Sequence, residues 1–107
     1  MPPEEVWERF FDPRAILDVM LFNILHAEAR LEMLKEAARV LSADGQLAII
    51  HWNYDPTTPR GPSMSIRPRA SDCIAWAEFV GFRVVCNGPI DLPPYHYGIL
   101  FRLRPFP

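Results

Sequence analysis

The sequence predicts an α/β domain: a sheet of about four strands with flanking helices, the last strand antiparallel to its neighbours. Two observations carry that prediction. Short, almost wholly apolar runs at Val19–Leu25, Gln46–Trp52 and Phe82–Cys86 alternate with helical segments at Glu28–Leu41 and Ser71–Val80, as in parallel strands joined by helical crossovers. A last run, Tyr95–Leu103, follows the third with only Asn87-Gly88-Pro89 and Pro93-Pro94 in between. No helix fits there, so the chain must turn back on itself.

Composition bounds the rest. The chain has 107 residues, half of them hydrophobic and 22% charged, which suits one globular domain with a modest core. A net charge of −2 gives no field that gathers nucleic acid or an anionic membrane. No apolar run approaches the roughly 20 residues of a membrane span. Cys73 and Cys86 form no CxxC pair, so a reducing, cytoplasmic setting is expected.

In order, Met1–Phe11 reads as an amphipathic helix with Val6, Trp7, Phe10 and Phe11 on one stripe. Asp12-Pro13 restarts a helix through Leu17, so residues 1–18 form a helical lead-in to residues 19–107. Val19–Leu25 is apolar on both faces, as a central strand must be. Glu28–Leu41 puts Leu31, Leu34, Ala38 and Leu41 on one face, and Gly45 offers a left-handed exit. Asn53–Arg69, with Pro56, Pro59, Pro62 and Pro68, is irregular and long enough to line a binding site. Ser71 caps the second helix, and Gly81 stops it.

In open α/β sheets, ligands collect beyond the carboxyl ends of the strands. Asn23, His26, His51, Trp52, Asn53 and Tyr54 fall there. His51 is the candidate general base, its ordinary pKa lying near neutrality. Trp52, Asn53, Tyr54 and Arg67 would line a substrate pocket, with Arg60, Arg67 and Arg69 as possible anion clamps. The histidines are too dispersed for a metal site, and neither a nucleophile elbow nor a nucleic-acid motif is present.

The stretches Met20–His26, Leu34–Leu41 and Asp44–Ile50, continuing through Ser71–Val80, Gly81-Phe82 and the final strand, resemble class I S-adenosylmethionine-dependent methyltransferases. That resemblance implies a Rossmann-like sheet. The four strands correspond to the family's fourth to seventh, in spatial order four-five-seven-six. It implies that Asn23, Leu25 and His26 border S-adenosylmethionine, and that His51–Tyr54 and the loop behind them face the methyl acceptor. The family's glycine-rich turn and its acidic residue have no counterpart, since the five glycines are Gly45, Gly61, Gly81, Gly88 and Gly98. The chain therefore reads as a truncated or internally deleted methyltransferase, its cofactor half removed between about Leu17 and Met20, with little or no independent activity. The alternatives are a non-catalytic interaction module and a small-ligand binder using the strand-end pocket. Without the missing strands, residues 19–25 would form an exposed edge, so a homodimer through that edge or the N-terminal helices is expected.

Overall fold

The computed structural model describes residues 16–85 and 88–104. The elements run β1 (Ile16–Phe22), α1 (Arg30–Val40), β2 (Leu41–Trp52), α2 (Ala70–Val80), β3 (Phe82–Val84), β4 (Ile90–Leu92) and β5 (His96–Leu103). The sheet order is β1-β2-β5-β3, with β4 also paired to β5. β1 lies parallel to β2, and β5 runs antiparallel to β2, β3 and β4. This is the four-five-seven-six order expected from the resemblance, with β4 added. β4 escapes notice in the sequence because Ile90-Asp91-Leu92 is too short to show an alternation.

Several boundaries shift for local reasons. β1 begins earlier and ends earlier than its apolar run. Asn23 takes a left-handed conformation (φ 57°), which asparagine tolerates better than most residues, and its N–H caps the ladder on Ile50 O at 2.8 Å. Ile16 and Leu17 lie in this strand, not at the end of a helix; the rest of the expected lead-in, residues 1–15, is outside the described residues.

Helix α1 stops at Val40, because Leu41 is already extended (φ −73°, ψ 140°). The left-handed exit expected at Gly45 is therefore not used; Gly45 lies within β2. The extra residues are absorbed as an irregularity, with Ile16 opposite Leu41 but Asp18 opposite Gln46. At α2 the cap is Arg69 and Ser71 sits inside the helix. The Asp72 carboxylate reaches back to accept from the Arg69 N–H at 2.8 Å, which fixes the start one turn before it. Gly81 ends α2 at φ 116°, as expected. Of the run Phe82–Cys86, the strand is Phe82–Val84, and Cys86 lies outside the described residues.

The core lies on one face of the sheet. Leu47 and Ile49 from β2, Ile99 and Phe101 from β5 and Phe82 from β3 pack with Leu34 and Ala37 of α1 and Cys73 and Ala77 of α2. Val19 and Leu21 of β1 join that cluster. Period-2 alternation sends the intervening residues to the opposite face. There Met20 and Phe22 are well exposed. Two open concavities lie on that side, of about 300 Å³ (Asp18, Met20, Gln46, Ala48, Leu100) and about 150 Å³ (Ile50, Ile90, Leu92, Gly98).

Candidate functional site at the strand ends

Because β1 and β2 are parallel, their carboxyl ends share one rim, and antiparallel β5 brings its amino end to the same place. The rim gathers Phe22 at the end of β1, Asn23 and His26 after it, His51 and Trp52 at the end of β2, and His96 at the start of β5. Asn23 Nδ2 lies 3.3 Å from His96 Nε2, and His26 Nδ1 lies 3.3 Å from His51 Nε2. Arg30 secures the turn between β1 and α1, donating from Nε to Leu25 O at 3.0 Å while its guanidinium covers the Trp76 ring at 4.2 Å.

The sheet divides these residues into two groups. His51 pairs with Tyr97 and points to the helix side; Trp52 pairs with His96 and points away. His51 is fully buried, with its ring edge-on to His26 and stacked on Tyr97. Trp52 instead lies 4.3 Å from the His96 ring, which also stacks on Phe22. The sequence placed His51 and Trp52 together because they are neighbours in the chain. Adjacent strand residues face opposite ways, and that alternation separates them.

Burial pushes the His51 imidazole down to about 4, with the neighbouring His26 adding to the effect. Its charged form loses hydration, so at neutral pH His51 carries no charge. His51 Nδ1 and Asn23 Oδ1 are buried without a hydrogen-bond partner. A neutral imidazole with one open nitrogen has the protonation state a base needs. A conjugate acid near 4 nonetheless makes it a weak base, and its outward nitrogen already meets His26.

The proline-rich loop is organised around Arg67, which is buried. Its Nε donates to Pro62 O at 3.1 Å, Nη2 to the same oxygen at 2.7 Å, and Nη1 to Asn53 O and Asp55 O at 3.0 Å and to Thr58 Oγ1 at 2.6 Å. Every face of the guanidinium fork is occupied by the loop itself. Gly61 is required beside it: φ is 118° and an added Cβ would stand 2.7 Å from Arg67 Nη2. Arg69 lies over the Tyr54 ring at 4.0 Å, outside this knot. Asn53 contributes backbone, its N–H donating to Tyr95 O at 2.7 Å.

Leu25 is a core residue with no exposure. The polar groups of Asn23 and His26 turn toward His96 and His51. The resemblance would set these three residues beside S-adenosylmethionine; with Leu25 buried and the polar groups of Asn23 and His26 turned to His96 and His51, they do not by themselves make a fit for it. Among the described residues, no group of three or more His, Cys, Asp or Glu is placed to hold a metal. The rim residue that the sequence left out is His96. Its signal was available: in Tyr95-His96-Tyr97 the histidine must face away from both tyrosines, and the antiparallel return sets it opposite Trp52.

The fold has counterparts among solved structures. A protein assigned as a type 11 methyltransferase from Sulfolobus solfataricus superposes with a TM-score of 0.68 at 25% identity, over 96% of this chain and 66% of that one. A SAM-dependent methyltransferase from Aquifex aeolicus gives 0.73 at 21% identity, over 85% and 47%. LepI, solved in complex with SAM, gives 0.60 at 15% identity, over 81% and 26%. The fold is methyltransferase-like. The chain spans less than two thirds of the length of any of the three. No protein-family model and no curated protein matches the sequence. Among the described residues no helix is long and apolar enough to cross a membrane.

Proposed function

We propose that this chain is a methyltransferase-like protein built on the acceptor side of an S-adenosylmethionine-dependent fold, with little or no methyl transfer on its own. One observation supports this above the others. The order β1-β2-β5-β3, with one parallel pair and an antiparallel strand inserted before β3, recurs with TM-scores of 0.68 and 0.73 in methyltransferases of which the chain spans 66% and 47%. The glycine turn and acidic residue of the family are absent from the sequence. A methyl acceptor would meet Trp52, Tyr54 and the backbone of Asn53 first. Arg67 keeps the acceptor-side loop in shape, while His51 stands behind His26 on the helix side, away from Trp52, so it is not the group that an acceptor held at Trp52 would meet. Methyl transfer is above all a positioning problem, and half of the positioning surface lacks its residues here. The free, buried thiol of Cys73 suits a reducing cytoplasm.

Titration calorimetry with S-adenosylmethionine and S-adenosylhomocysteine tests the reading. The expected result is no binding tighter than about 100 μM, roughly −5.5 kcal/mol. A tighter saturable isotherm, accompanied by methyl transfer to any acceptor, would show that the chain carries a complete site and overturn it.

A further inference from the structure

We infer that β1 is a self-pairing edge: two copies of this chain join antiparallel along β1, about a two-fold axis at Met20, to make one continuous sheet. The inference stands on the strand itself and is independent of the methyltransferase reading.

Among the described residues β1 has one hydrogen-bonded neighbour, β2, and its outer edge is unpaired. Natural edges are normally blunted by lysine, proline, a bulge or a covering element. From Val19 to Phe22 the sequence is Val-Met-Leu-Phe, without lysine or proline, and among the described residues no bulge and no second strand lies along it. The irregularity in the strand falls between Ile16 and Asp18, so the regular ladder runs from Asp18 to Phe22 and is centred on Met20.

Charge selects the same register. Asp18 is the one charged residue of β1. An antiparallel pairing centred on Asp18 would oppose two carboxylates directly, which destabilises a sheet. Centred on Met20, it sets each Asp18 opposite the partner's Phe22. The two carboxylates are then four residues apart along the strand, about 13 Å, beyond the screening length of about 8 Å at physiological salt.

The side chains agree with the backbone. Met20 is 64% exposed and Phe22 51%, both on the face that carries neither described helix. An even register keeps that face on the same side in both copies. Met20 then meets its own symmetry mate, and Phe22 covers the stem of the opposing Asp18. An isologous contact of this kind closes after two copies and cannot propagate through the same edge.

Light scattering on the full chain at tens of micromolar should give twice its 12.3 kDa mass; a monomeric mass overturns the inference. Register is tested by Met20→Cys. Directly opposed strand residues have Cα atoms about 4.5–5.5 Å apart, inside the range that a disulfide spans. Mild oxidation should therefore link that variant into a covalent dimer well above the unsubstituted baseline. Phe79→Cys, 75% exposed on α2, should stay at the baseline. Met20→Lys should weaken the dimer at least tenfold with unchanged circular dichroism, and Met20→Leu should leave it intact. A dimer that survives Met20→Lys, or equal cross-linking at both cysteine positions, overturns the edge assignment.

Discussion

The two faces of this sheet are built from similar residues and have opposite fates. Leu47, Ile49, Ile99 and Phe101 are sealed beneath α1 and α2, while Met20 and Phe22 face outward with no described helix above them. Hydrophobicity alone does not decide what is buried; the placement of the crossovers does. Both described helices join strands across the same face, so every residue of the other parity is left to whatever else covers it. A strand apolar on both faces belongs in the middle of a fold, yet β1 stands at the described edge.

The largest test of that contrast is a pair of truncations. Phe101→Ala removes a ring with no exposure and should cost about 3–5 kcal/mol in urea unfolding, from lost transfer energy and the cavity left behind. Met20→Ala, at a dilution where the chain is monomeric, should change stability by no more than about 0.5 kcal/mol. Comparable losses would mean that the second face is covered within a single chain in solution.

Histidine gives the next test, because His51 lies on the covered face. An unfolded histidine takes its proton near 6.5, whereas folded His51 takes it only near 4. Between those values the unfolded chain holds more protons, so acidification favours unfolding. The stability that His51 contributes is present above about pH 6.5 and lost as the pH falls toward 4, by up to about 3 kcal/mol. Denaturation midpoints across that window should fall steeply for the natural chain and less steeply for His51→Leu. The readout is the slope, since the substitution also changes the level. An unchanged slope would mean that water reaches His51, and that the covered face is open at its rim.

How much of this was legible beforehand follows from what kind of signal each feature sends. The α/β class was readable from the alternation of apolar runs with helices, and the strand order from the resemblance carried by Met20–His26 and Leu34–Leu41. The ends of β1 were not. Asn23 breaks the strand by a backbone conformation, and the apolar run continues past it into Leu25, which is buried from the turn. Arg67 was visible as a loop cation and expected to line the substrate pocket. Its carbonyl partners Asn53, Asp55 and Pro62 lie at separations that no local pattern encodes. His51 and Trp52 could be set at the end of their strand, but not on their separate sides. His96 needed the register of β5 against β2 before it could join them.

The finest test compares one hydrogen bond on the covered face with one methyl group on the other. Tyr97 is buried against His51, and its hydroxyl donates to Pro68 O at 3.0 Å with Cys73 Sγ at 3.3 Å. Burial drives the phenol's pKa far above its usual value, so it remains a donor at any working pH. Tyr97→Phe deletes that donor and leaves the Pro68 carbonyl, just before α2, without it. The expected cost is about 1 kcal/mol. Ile50→Val trims one methyl from a partly buried residue of opposite parity and should cost about 0.5 kcal/mol, the low end for such a change. The order of the two values carries the comparison. If Ile50→Val proves the costlier at monomer concentrations, the second face is packed as tightly as the first, and the contrast between them fails.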